Sequence, residues 1–341
     1  MKKNRFIAII IATGVLLFSC KNGKKAERTD TLTQGIAEVA VDECFAPILE
    51  EEINVFESLY REASVIPTYT SDARVYDLLM KDSIRLIIGT RELTDNEKAV
   101  INERKQRVRK YRIAIDAIAL ITNKANPDTL LSLDALKGIV TGKVTNWKSI
   151  NPASKLDSIA VIFDSPNSST IRFIKDSICG GAPVGHNLRA IAPESETVDI
   201  NQVMSNAKVI QYVAANPNAL GVIGVNWISN PNDTTNLSFI NDVNVISLSR
   251  EDDATPKNSF KPFPYQMALE LAYRENRDSE QKGTGGYPLT RNIYAIITDA
   301  QGGLSSGFFN FVANDRGQRI ILKAGLLPAN RPMRLVRINA K

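Results

Sequence analysis

The feature that most constrains this chain is the alternation of strand-like and helix-like patterns that opens its body. Residues 38–42 read as a strand, and residues 46–58 as an amphipathic helix with Ile48, Leu49, Ile53, Val55 and Phe56 as its apolar set. Residues 63–69 are strand-like again, 73–81 helical, and 84–88 a short apolar strand. Such a βαβαβ opening predicts an α/β fold with helices packed on a largely parallel sheet. Residues 94–105 form a charged helix whose start is marked by Thr94 with Glu97 three positions on, a capping box.

The two longest apolar strand candidates follow at residues 111–122 and 287–298. Between them the pattern predicts helices at 133–140, 170–178 and 200–215, and strands at 159–163 and 220–225. Residues 304–324 read as one helical segment, and residues 230–236 and 274–286 as polar surface insertions. A body of roughly 300 residues has room for two lobes, because single cores stop growing near about 250–300 residues.

The chain begins with Lys2, Lys3 and Arg5, then an apolar run to Phe18, then Ser19 and Cys20. This is the order of a cleavable export signal, residues 1–19, and the run is shorter than the roughly 20 residues a membrane-spanning helix needs. Leu17, Phe18, Ser19 and Cys20 resemble the lipobox of bacterial lipoproteins. That resemblance implies a lipid-bearing Cys20, a flexible tether over residues 20–35, and attachment to a membrane of the cell envelope. An ordinary secretory signal with an incidental cysteine is the alternative.

Charge excludes one class of partner. Removing Lys2, Lys3 and Arg5 from 42 basic residues leaves 39 against 37 acidic ones, too near balance for a nucleic-acid binder. Three cysteines make no disulfide framework, and Cys44 and Cys179 are expected to be free. With His186 the one histidine, a histidine triad or multi-histidine metal site is excluded, and no cofactor is expected.

Asp116 to Lys124, then Leu133 to Gly142, Lys143, Val144, Thr145, Asn146 and Trp147 resemble the phosphate-binding proteins of ABC importers, which carry a "DGIA" strand followed by "FSGKITNW". Further matches keep the same order: Ser168, Ser169 and Thr170; Ala219 to Val225; Tyr287, Pro288 and Leu289; Gly317, Gln318, Arg319; and Gly325 to Pro328. The resemblance implies a type II periplasmic-binding-protein fold. Lobe one would comprise residues 36–115 plus 287–341 and lobe two residues 116–286, with the ligand in the cleft between them.

By the family's pattern Ser168 and Thr170 bond the ligand through hydroxyls and Ser169 through its backbone N–H, at the strand-to-helix turn that begins with Asp164. A plain Ser/Thr N-cap is the alternative for these three. Cys44 and Phe45, ahead of the first helix, supply a second helix start, with Cys44 standing where the family has a small or hydroxyl residue. Thr90 and Arg91 follow a strand at the place of the family's proton-accepting acid. Asp164 stands at the place of its arginine, so an Arg91–Asp164 pair is expected to bridge the lobes. Arg91 is otherwise a surface residue. For Lys143 and Trp147, turn and core roles are expected. The function implied is that of a non-enzymatic, lipid-anchored binding protein that takes phosphate or a related oxyanion and delivers it to an inner-membrane ABC permease. The alternative is a surface or sensor lipoprotein that keeps the fold without transport.

Overall fold

The computed structural model describes residues 29–192, 205–228, 241–275, 285–299 and 302–329. Its first portion runs β1 (Gly35–Asp42), α1 (Ala46–Leu59), β2 (Ala63–Thr70), α2 (Asp72–Met80), β3 (Leu86–Gly89) and α3 (Asp95–Glu103). The long strand β4 (Arg109–Asn123) follows, then β5 (Leu130–Ser132), α4 (Leu133–Val140), β6 (Ala160–Phe163), α5 (Ser169–Ile174) and β7 (Leu188–Ala190). Next come α6 (Ser205–Ala215), β8 (Ala219–Gly224), β9 (Val243–Val245), β10 (Ser247–Ser249), β11 (Ser259–Phe260) and α7 (Pro264–Glu275). The chain closes with β12 (Thr290–Ile297), α8 (Leu304–Ala313), α9 (Asp315–Lys323) and β13 (Leu327–Pro328).

The main sheet has the order β2-β1-β3-β12-β4-β8-β6-β7, with β9 and β13 as further partners of β4; β11-β10-β5 form a small second sheet. β4 belongs to both halves of the main sheet. Arg109 to Ala117 pair with β12, and Ile118 to Thr122 with β8. Residues 113–123 are therefore buried throughout, which explains the unbroken apolar run in the sequence.

In the first half β1, β2 and β3 are parallel, so Asp42, Thr70 and Gly89 end at one edge, where α1 and α2 begin. In the second half β6 and β8 are parallel and end at Phe163 and Gly224. Loops at the carboxyl ends of parallel strands are where such sheets hold ligands. Trp147 is wholly buried and donates Nε1 to the carbonyl of Asn218 at 3.0 Å, a core role.

Most elements lie within two residues of their expected ends, and the capping box of Thr94 and Glu97 is formed. The single helix expected over 304–324 is instead two: Asn314 is extended, and Gly317 packs so tightly on Phe311 and Val312 that a Cβ would lie 2.6 Å from both. α5 ends at Ile174 and continues as a wider turn, Lys175–Cys179, closed by left-handed Gly180. The stretch expected as tether is part of the body from Asp30 onward. Asp30 accepts the first backbone N–H of α8, from Leu304, at 2.9 Å, and Thr31 bridges to Gln34. The export signal, Cys20 and the 230–236 insertion lie outside the described residues, as do residues 276–284 of the second insertion. Cys44 and Cys179 are both buried and free.

Candidate binding site

The turn after β6 holds Ser168 as the N-cap of α5, its Oγ accepting from the backbone N–H of Ile171 at 3.3 Å and donating to Asp164 Oδ1. Asp164 also receives Asn206 Nδ2 from α6 at 3.5 Å. Asp164, Ser168, Ser169 and Thr170 are all wholly buried. Ser169 faces the other half of the sheet, and its Oγ accepts from Arg291 Nη1 at 2.8 Å.

Arg291 is the hub of the junction and is not among the residues expected from sequence. Its Nε donates to Asp116 Oδ2 at 2.8 Å and its Nη2 to Cys44 Sγ at 3.2 Å, and its guanidinium lies 5.2 Å from the Phe45 ring centre. Four of its neighbours, Cys44, Phe45, Asp116 and Ser169, thus come from three separate parts of the chain. The signal that points to it is local: an arginine two residues past Leu289 in a strand otherwise expected to be buried. Burial works against its charge, but Asp116, Cys44 and Asp42 more than offset that, so its pKa stands above the ordinary value.

Around this cation burial raises the pKa values of the carboxylates. Burial, then the neighbouring Asp72, raises Asp42 to about 7, although Arg291 opposes the rise. Burial, then Asp164 and Asp42, raises Glu43 to about 8. Glu43 Oε1 accepts from Ser165 and Ser205, each at 3.2 Å, so one side chain of the first half receives two hydroxyls of the second. Burial raises Asp116 and Asp164 as well. Burial also pushes the Cys44 thiol up, away from the thiolate a nucleophile needs.

The remaining contacts fit the backbone closely around this point. The Cys44 carbonyl accepts from Asn226 Nδ2 at 2.9 Å and Trp227 Nε1 at 3.0 Å. A Cβ on Gly224 would lie 2.5 Å from Cys44 Sγ and 2.7 Å from Asn226 Oδ1, so only glycine fits there.

Thr90 lies at a second contact between the halves, but Arg91 does not. Arg172 of α5 donates Nη2 to Thr90 Oγ1 at 2.5 Å and Nε to Asp72 Oδ2 at 2.9 Å. Arg91 turns the other way, with its fork on Glu97 at 2.7 and 2.8 Å and its guanidinium 3.7 Å above the Tyr76 ring. The expected Arg91–Asp164 pair is therefore not formed. The capping box fixes Glu97 next to Arg91, and that carboxylate takes both guanidinium nitrogens first. Among the described residues no group of three or more His, Cys, Asp or Glu side chains is arranged to hold a metal ion.

The profile of the PBP superfamily domain matches residues 26–316. The chain belongs to the PBP superfamily. Among curated proteins, the chain is similar to the phosphate-binding protein PstS of Borreliella burgdorferi, 23% identical over 335 residues, which span 96% of this chain and 99% of that protein. The corresponding protein of Staphylococcus aureus is 23% identical over 267 residues, 76% of each chain. Two solved PBP-type structures share the fold. An ABC-type phosphate transport receptor from Vibrio cholerae has a TM-score of 0.56 at 18% identity, covering 86% of this chain and 100% of that one. A phosphate-binding protein from Stenotrophomonas maltophilia has a TM-score of 0.58 at 13% identity, covering 88% and 92%. The fold is accordingly the type II α/β arrangement, and the PBP superfamily is one of binding proteins rather than enzymes.

Proposed function

We propose that this chain is the lipid-anchored solute receptor of an ABC importer and that it binds phosphate or a closely related oxyanion where its two halves meet. The halves are the two lobes, residues 36–115 with 287–341 and residues 116–286, hinged through β4 and β12. The observation that carries the reading is the buried Arg291, which the fold aims at Ser169 beside the N-terminus of α5. A buried guanidinium with hydroxyl and backbone donors is the donor set a tetrahedral oxyanion requires. Asp164, at the same turn as Ser169, is the acceptor for the proton that phosphate carries and fully ionised sulfate lacks. Cys20 anchors the body to the cell envelope, and the permease receives the ligand when the lobes open.

The second reading, a surface or sensor lipoprotein without transport, is favoured by one feature. The halves already meet through direct bonds, Arg172 to Asp72 and Glu43 to Ser165 and Ser205. Thermal shift of the mature chain against phosphate, sulfate, molybdate and organic phosphates separates the two. A selective rise with phosphate supports the receptor, and no rise with any oxyanion supports the second reading.

A further inference from the structure

We infer that the end of the first half farthest from the binding site is a docking face for an anionic bilayer surface. The inference adds to the proposed lipid anchor and does not depend on the identity of the ligand.

The topology brings three features together at this end. The first is the start of the described chain. β1 runs from Gly35 to the site at Asp42, so Gly35 lies seven residues, about 23 Å, from the site edge. Residues 30–34 are fastened there, Asp30 to Leu304 and the Leu32 carbonyl against Gly307 of α8. The second is a run of cations from the end of α3 to the first residue of β4: Arg104, Lys105, Arg107 and Arg109, all exposed. Arg109 pairs in register with Ile297 at the start of β4, seven residues from Asp116 in the middle of the strand. Its side chain donates to Ser306 Oγ at 2.6 Å, on the same first turn of α8 that holds Asp30. The third is exposed apolar surface: Leu32, Ile36 at 67% exposure, and Leu59 at the far end of α1.

The charge here is only partly cancelled locally. Among the described residues no carboxylate forms an ion pair with Arg104, Lys105, Arg107 or Arg109. Asp82 is held by Arg85 and Gln106 and also acts on Arg104, and the other acids at this end, Asp30, Glu62 and Glu103, are outnumbered once Arg61 is added to the four cations. Eight residues separate Cys20 from Thr29 in the sequence, nine steps of the chain with a reach of about 30 Å when extended. A lipid on Cys20 therefore joins the membrane to the body at this end. Basic side chains with scattered apolar neighbours suit an anionic lipid surface, which attracts cations within about a Debye length.

The test uses the mature chain from Cys20 with Cys20→Ser, which removes the lipid and leaves the face. Its co-sedimentation with vesicles of phosphatidylcholine alone is compared with vesicles in which about one lipid in three is phosphatidylglycerol. Binding to the anionic vesicles, reversed by salt, is expected. The triple variant Arg61→Gln, Lys105→Gln, Arg107→Gln should lower it about tenfold or more. The triple variant Lys124→Gln, Lys143→Gln, Lys155→Gln on the other half should leave it unchanged, and unaltered circular dichroism and melting confirm that each variant is folded. Equal partition into neutral and anionic vesicles, or equal loss in both triple variants, overturns the inference. Phosphate-induced thermal stabilisation, measured in parallel, reports on the site alone.

Discussion

Arg291 on β12 and Asp116 on β4 form a buried ion pair, Nε to Oδ2 at 2.8 Å, on the two strands that join the halves of the molecule. Removing one member of such a pair leaves an uncompensated buried charge, at a cost of about 3–5 kcal/mol. Arg291→Ala should therefore lower stability in urea denaturation by that order. Asp116→Asn, which leaves the always-charged Arg291 guanidinium without this partner, should cost a similar amount.

Gly224 is a second place where the junction is tightly specified. A Cβ there meets Cys44 Sγ and Asn226 Oδ1 well inside contact distance, so Gly224→Ala should destabilise by about 1–3 kcal/mol. Because Cys44 Sγ is the nearest obstacle, Cys44→Ala should recover part of that loss in the double variant. A double-mutant cycle by denaturation checks the coupling, and strict additivity would contradict the assigned contact.

The raised carboxylates set a pH dependence. Between about 4.5 and 8 Glu43 keeps its proton in the folded chain while the unfolded chain has lost it, and Asp42 does the same between about 3.8 and 7. The folded state then binds more protons, so stability should fall as pH rises through this window, by at most about 1.4 kcal/mol per pH unit for each group. Melting temperatures from pH 5 to 8 should show the decline, and Glu43→Gln should flatten it.

Arg172 is one third exposed, so its pair with Asp72 contributes modestly to stability, about 1 kcal/mol or less. Its larger effect is expected on closure, since it joins α5 to both α2 and the loop after β3. Arg172→Ala should barely change melting but enlarge the radius of gyration in solution scattering. An unchanged radius would show that the latch does not hold the halves together.

The strand-to-helix turn at Ser168, Ser169 and Thr170 was legible in the sequence because its parts are adjacent and each has a local reason to be there. The βαβαβ opening and the buried β4 were legible for the same cause, since periodicity is a local property. Arg291 was not, because its role comes from pairing with Asp116, 175 positions away, and from Cys44 and Ser169 arriving from opposite halves. Arg91 was misjudged in its partner for the converse reason. Its position after β3 invited a contact across the cleft, while Glu97, six residues on, was already placed to take its fork. The break at Asn314 falls where residues 314–319 interrupt the apolar pattern, a signal that the reading of one continuous helix passed over; Asn314 is extended and Gly317 packs closely on Phe311 and Val312 as the second helix begins.

The most direct test of the account is isothermal titration calorimetry of the mature chain with phosphate and with sulfate, repeated on Arg291→Lys and Ser169→Ala. The account predicts saturable phosphate binding, sulfate weaker by about tenfold or more, and reduced phosphate affinity in both variants. No phosphate binding by the wild type, or affinity unchanged in both variants, would contradict it.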